Sequence, residues 1–213
     1  MQIAAPHVRL AILGEDLVAF DLRQDRYIVI PGAVVEDGPP SSCTDAARWL
    51  DPAAAAMLSD AGLLVDGVSE ALSLSRPVAA LQRSTQGRIR TRHLAYLAIA
   101  LVRAGWRLAH GRHCLSFDSN SLPAITPAEE QDYTRAIDSL AALRILIPTP
   151  RRCLPAALIA GIFLKMQGLE ADFVFGVRGH PFEAHCWLQR GPLVIDDDLD
   201  RVSAYTPIAM GRL

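Results

Sequence analysis

Residues 149–198 read TPRRCLPAALIAGIFLKMQGLEADFVFGVRGHPFEAHCWLQRGPLVIDDD. A cysteine precedes a long apolar run, a histidine sits between strand-like segments, and aspartates follow a last apolar triplet. Thr149 and Pro150 suit a helix cap and first position, but Pro155 would then fall inside that helix and lose a backbone hydrogen bond. A helix that begins near Cys153 keeps Pro155 in its first turn and runs to about Gln167, before Gly168. Residues 171–177 then read as a strand and 178–181 as a turn. A second strand covers 182–189, a tight connection 190–192, and a third strand 193–196.

Cys153, His185 and Asp197 occur in the order of a thiol catalyst: a nucleophile, a base beside it, and a group that holds the tautomer of the base. A helix N-terminus favours the thiolate, and Arg151 and Arg152 add positive charge that solvent weakens. The competing expectation is an inert cysteine buried in an alanine-rich helix. Alternation along 182–189 puts Glu183, His185, Trp187 and Gln189 on one face and Ala184, Cys186 and Leu188 on the other. His180, in the turn beside Pro181, is expected at the surface. Asp197 closes the third strand, where it would accept the imidazole N–H. Alternation separates it from Asp196 and Asp198, which compete for the role, and a solvated acidic loop is the alternative to all three.

Arg152-Cys153-Leu154-Pro155 with its apolar helix, the strand at 173–177, Pro181-Phe182, Ala184-His185-Cys186-Trp187, and Gly191 before the strand end at 194–197 together resemble the lasso peptide biosynthesis B proteins. The resemblance implies a transglutaminase-like, papain-related cysteine peptidase with Cys153 as nucleophile, His185 as base and Asp197 as orienting acid. Cys186 stands where that family usually has alanine, and Asp196 where it usually has asparagine, so two carboxylates occupy a place where one is usual. The resemblance also implies a lasso precursor peptide as substrate and an asparagine-synthetase-like cyclase as partner. The cyclase would use ATP to join the freed N-terminal amine to an acidic side chain.

With 213 residues, 51% of them hydrophobic, and a net charge of −2, the chain reads as an ordered globule large enough for a sizeable core or two smaller ones. Four cysteines are too few and too irregularly spaced for a disulfide framework or a zinc module, so no metal is expected. No P-loop pattern occurs, and no cofactor is expected. The N-terminal residues show no basic leader before an apolar core, and the apolar runs at 94–102 and 154–164 are short for a bilayer, so neither a signal peptide nor a membrane span is expected and the reading is cytoplasmic. Charge is uneven: residues 1–80 carry −6, 81–152 carry +6 and 153–213 carry −2. The basic middle shares its length with apolar helical runs and has no aromatic-interleaved basic strand. An inter-domain surface, or contact with an acidic peptide or partner, accounts for it as well as nucleic acid does, and nucleic acid is not an expected partner.

Residues 8–13, 17–22 and 27–30 read as a three-stranded meander with turns at 14–16 and 23–26. A loop follows at 31–40, then helical segments at 45–50 and 52–60, the second with Asp51 as cap and Pro52 at its first position. Gly62-Leu63-Leu64-Val65 ends the unit. Three strands, short helices and a G-L-L tail resemble the PqqD-like precursor-recognition domain, a small winged-helix-like unit that in many lasso B proteins is fused ahead of the peptidase. The resemblance implies β-augmentation by a leader peptide at Tyr27, Ile28, Val29 and Ile30, with Ala54, Met57 and Leu58 of the following helix beneath it.

The expected organisation is therefore α+β. A recognition domain spans residues 1–80, a linker lies at about 66–92, and a transglutaminase-like peptidase domain spans 93–213. Within the latter, a helix from His93 to His110, apolar around much of its circumference, is expected to be buried. A second helix at 128–146 displays Tyr133, Ile137, Leu140 and Arg144 on one face, and residues 202–213 are expected as an irregular tail. Arg112-His113-Cys114 offers a second Cys–His pair, but adjacent strand side chains point apart, so a structural role is expected there. Three functional readings follow: a leader peptidase, a transglutaminase-like acyl transferase using the same thiol, or a non-catalytic peptide-binding adaptor.

Overall fold

The computed structural model describes residues 2–35, 49–67, 74, 76–83, 87, 89–110, 115–117, 121–147 and 152–213. Most of the segment expected as a helix at 45–50, the Arg112-His113-Cys114 triplet, and Thr149, Pro150 and Arg151 lie outside the described residues. The protein is a mixed α+β structure of two compact units. One comprises Met1–Leu74 with Phe175–Ala184 and Ala204–Ala209; the other comprises Ser75–Val174 with His185–Ser203 and Met210–Leu213.

In the first unit β1 (Gln2–Ala4) precedes a meander of β2 (Val8–Leu13), β3 (Asp16–Asp21) and β4 (Arg26–Ile30), which pair antiparallel in that order. Gly14, at φ 65°, supplies the left-handed residue that the tight β2–β3 turn needs. The Asp21 carboxylate accepts the N–H groups of Arg23 (2.8 Å) and Gln24 (3.2 Å), which shapes the turn into β4. Helix α1 (Pro52–Asp60) starts where the sequence indicates: Asp51 caps it by accepting from Ala53 N at 3.0 Å, and Pro52 takes the first turn. β5 (Leu64–Asp66) then returns antiparallel to β1, a pairing too short for a period-two signal. Val8, Leu10, Ile12, Leu17 and Ala19 pack with Ala54 and Leu58 in one core. Every residue of β3 is buried, and on its other face the Phe20 ring stacks on Tyr27 at 4.3 Å and meets Phe175 at 5.6 Å.

The second unit surrounds one apolar helix. After β6 (Ala79–Ala80) come α2 (Thr91–Ala109), β7 (Ser116–Phe117), α3 (Pro127–Leu143), which ends in a 3-10 turn, and α4 (Cys153–Lys165). The chain continues through β8 (Asp172–Arg178), β9 (Glu183–Arg190), β10 (Leu193–Val194), α5 (Leu199–Val202) and β11 (Thr206–Arg212). Strand order in the resulting six-stranded sheet is β6-β10-β9-β8-β11-β7. Residues 157–164 of α4 are all buried, packed by α2 and α3. Gly161 permits this approach, since a Cβ there would lie 2.4 Å from Cζ of Phe173 on β8. Thr126 and Glu129 form a reciprocal capping box at the start of α3, with Pro127 in its first turn.

Four expectations need correction. Residues 206–212 are not an irregular tail but strand β11, inserted between β8 and β7. Pro207 and Gly211 weaken its strand signal, and pairing with neighbours remote in sequence overrides that. The third strand at 193–196 is only the two-residue β10, so Asp196 and Asp197 lie in a bend where strand alternation does not operate. α2 is not buried all round: Leu97, Ala100 and Ala104 face the core, while Val102 (72% exposed) and Trp106 (54%) face out. The stretch expected as a linker contributes β6, which pairs parallel with β10.

Candidate active site

Cys153 is the first residue of α4. The Arg152 side chain, at the N-cap position, makes no cap hydrogen bond there. His185 lies on β9 and is 6% exposed. Its ring stacks on Trp187 two residues on at 6.0 Å, as same-face placement requires. Trp187 is itself fixed, its indole N–H donating to Gln189 Oε1 at 3.0 Å, and the Gln189 amide donates to Gly191 O at 2.7 Å. These bonds lock the strand behind the imidazole.

His185 Nε2 meets Asp197 Oδ2 at 2.6 Å. The other oxygen of Asp197 accepts the Asp198 N–H at 2.9 Å and lies 3.8 Å from Nη1 of Arg201. With Nε2 engaged, Nδ1 remains for the hydrogen bond between His185 and the Cys153 thiol. Sulfur, imidazole and carboxylate thus form one hydrogen-bonded line. The neighbouring acid is used differently: Asp196 Oδ1 accepts the backbone N–H of Leu188 at 2.7 Å and so ties the bend to β9.

The electrostatics follow from this wiring. The hydrogen bond from His185 holds the Cys153 thiol below its ordinary value against the opposing effect of burial, and the N–H groups of Cys186 and Leu154 also bond the sulfur. Burial pulls the His185 imidazolium down. The hydrogen bonds and charges of Asp197 and Cys153 outweigh it and raise the pKa to about 9. Burial likewise opposes ionisation of Asp197, but His185, the Asp198 N–H and Arg201 bring it below the usual carboxylate value. Burial dominates at Asp196 and raises its carboxyl to about 6. A lowered thiol beside a raised imidazole is the condition for a thiolate–imidazolium pair near neutral pH.

A cavity of about 520 Å³ opens at this line, with Ile137, Leu140 and Ile159 on its apolar wall and Arg83, Arg144 and Arg201 on its polar side. Arg152 also lines the cavity; Arg83 and Arg201 escape sequence reading because they are 70 and 48 residues from Cys153 and share no pattern with it. Cys186, on the same strand as His185, is buried and forms no disulfide among the described residues. His180 is at the surface, in an ion pair with Asp16 at 3.0 Å. No group of three or more His, Cys, Asp or Glu side chains among the described residues is arranged to hold a metal.

The profile of the transglutaminase-like superfamily matches residues 94–210, more than half of the chain, and spans Cys153, His185 and Asp197. The chain belongs to the transglutaminase-like superfamily. Members of this superfamily are often cysteine-dependent enzymes and include both peptidases and acyl transferases. No curated protein and no solved structure matches the chain. Among the described residues, no helix is long and apolar enough to cross a membrane.

The residues expected to contact a leader peptide all lie in the first unit. β4 is an edge of its three-stranded sheet, with Val29 38% exposed and Ile28 and Ile30 packed against the core. The Tyr27 ring stands between Phe20 and Phe182, the latter at 5.8 Å. On α1, Ala54 and Leu58 are buried in the core, and of these three expected contacts it is Met57, 61% exposed, that faces solvent. Ala54 and Leu58 therefore hold the helix in place, and any ligand on this helix meets Met57.

Proposed function

We propose that this superfamily member is a cysteine peptidase that removes the leader from a ribosomally made lasso precursor peptide. Cleavage would free the core N-terminus for macrolactam closure by an asparagine-synthetase-like cyclase. The observation that carries the reading is the hydrogen-bonded line of Cys153, His185 and Asp197 beside a cavity that admits a peptide segment. The Cys153 thiolate attacks the scissile carbonyl, and the oxyanion takes the uncapped N–H of Cys153 at the start of α4. The His185 imidazolium gives its proton to the leaving amine, producing a thioester on Cys153. Neutral His185 then takes a proton from water, which attacks the thioester and releases the acid. Asp197 keeps Nε2–H engaged throughout, so that Nδ1 always faces the sulfur.

The first unit supports the leader-binding half of the proposal through the open edge of β4, where an extended peptide would add a strand at Tyr27, Ile28, Val29 and Ile30. Mass spectrometry of a lasso precursor incubated with the protein tests the whole reading. Separate leader and core products that disappear with Cys153→Ala are expected. A mass-conserving amide product would instead identify acyl transfer, in which an amine replaces water at the thioester. Cleavage that persists in Cys153→Ala would exclude both thiol reactions, and precursor binding without any reaction would leave an adaptor.

A further inference from the structure

We infer that the cavity beside Cys153 contains a carboxylate-binding subsite formed by Arg144 and Arg152, so that the substrate presents an acidic group next to the bond under attack. This rests on the thiol-peptidase reading above. Four arginines line the cavity: Arg83, Arg144, Arg152 and Arg201. Two of them are committed within the protein. Arg83 Nη2 donates to the Asp196 carbonyl at 2.6 Å, and Arg201 Nη1 lies 3.8 Å from Asp197. Arg144 and Arg152 make no side-chain hydrogen bond or ion pair among the described residues. Both are exposed.

Three aspartates face the same space against four arginines, so positive charge is in excess by one. Asp197 is engaged by His185 and the Asp198 N–H, and Asp196 by the Leu188 N–H, which leaves Asp198 as the third carboxylate. Cys153 and His185 add no net charge as an ion pair. The two arginines without a partner among the described residues are Arg144, at the end of α3, and Arg152, which directly precedes the thiol. Guanidinium groups match the planar, two-oxygen geometry of a carboxylate, and the apolar wall of Ile137, Leu140 and Ile159 reduces competition from water. Such a wall takes an apolar side chain while the arginines take the acid beside it.

The subsite is testable with the intact protein and no known substrate. Cys153 is alkylated in parallel with iodoacetate, an anion, and iodoacetamide, its neutral counterpart; in each case the thiolate displaces iodide. The ratio of the two rates reports cation charge at the thiol independently of thiol ionisation. Replacing each arginine by glutamine is expected to lower the ratio by about threefold or more at low salt, and 0.5 M salt is expected to shrink the difference. A ratio unchanged in Arg144→Gln, Arg152→Gln and the double variant overturns the subsite while leaving the thiol reading intact. A wild-type Cys153 no more reactive than an ordinary thiol at neutral pH overturns both. Decapeptides with free or amidated C-termini separate the two sources of a carboxylate. Cleavage beside Asp or Glu regardless of amidation identifies a side chain, and cleavage confined to free C-termini identifies the terminal carboxylate. Cleavage indifferent to both overturns the inference.

Discussion

Replacing Asp197 by asparagine isolates the contribution of the carboxylate to the reactive thiol. The side chain is isosteric, and its amide oxygen can still face His185, but the charge is lost. The gap between the ordinary imidazole value of 6.5 and about 9 at His185 corresponds to about 3 kcal/mol of preference for the charged ring. It is the net of burial, which opposes the charge, and the bonds and charges of Asp197 and Cys153, which favour it. Because the folded pKa lies above the unfolded one, this stabilisation is fully present below about pH 6.5 and is lost as pH rises through about 9. Removing Asp197 leaves the burial cost and only one of the two compensating partners. The imidazolium value then falls towards or below 6.5, and the Cys153 thiol, which depends first on His185, rises. The full gap corresponds to about 300-fold in the imidazole equilibrium, and a loss of about 10- to 100-fold in the alkylation rate at pH 6 is expected. The assay is the rate of iodoacetamide labelling of Cys153 across pH 5–10, read by mass spectrometry. The acid limb of the profile should move upward in Asp197→Asn, while the rates near pH 10, where any thiol ionises, should converge. An unchanged profile, or the same change produced by Asp196→Asn instead, would refute the assignment of Asp197 as the partner of His185.

Three further substitutions probe the scaffold. Asp196→Asn should stabilise the protein at pH 7 by up to about 3 kcal/mol, because the native carboxyl titrates at about 6 rather than 3.8. The penalty for charging it is absent below about pH 4, grows to about pH 6 and is full above that, so urea midpoints of the variant and the parent should converge at pH 4. Gly161→Ala should destabilise by about 1–3 kcal/mol in a urea melt despite the better helix propensity of alanine, because the new Cβ would fall 2.4 Å from Phe173 Cζ. Equal stability would mean that the ring moves aside freely. Asp172→Ala should cost about 2–4 kcal/mol in thermal denaturation. This buried carboxylate accepts from Arg212 Nε at 2.5 Å and from Leu122 N–H at 2.7 Å, and its loss removes both hydrogen bonds.

Features governed by nearby residues were legible in the sequence. Helix α4 begins at Cys153 because Pro155 cannot lie deeper in a helix, and α1 and α3 start at Asp51 and Thr126 because those side chains bond the free N–H groups of the first turn. Alternation placed His185 with Trp187, and the order Cys153, His185, Asp197 indicated the chemistry that superfamily membership supports. Some of that reasoning reached Asp197 by a route the fold does not use. Strand alternation stops at Val194, and Asp197 meets His185 because the bend before α5 turns it there while Asp196 turns to Leu188 N–H.

Long-range pairing decided the rest. β11 carries Pro207 and Gly211 and is a poor strand by propensity, yet it lies inside the sheet because β8 and β7 satisfy its backbone from both sides. The outward face of α2 mixes Arg92 and Arg103 with Leu94, Ile99, Val102 and Trp106, so apolar residues alone do not mark which arc of the helix meets α4. Arg83 reaches a carbonyl 113 residues away, a contact without any sequence period. The identities of the proposed reacting groups follow locally from residue type and helix start. Their protonation states, the charge lining the cavity and the selection of one aspartate among three exist only after folding, because each depends on burial and on donors brought from distant parts of the chain.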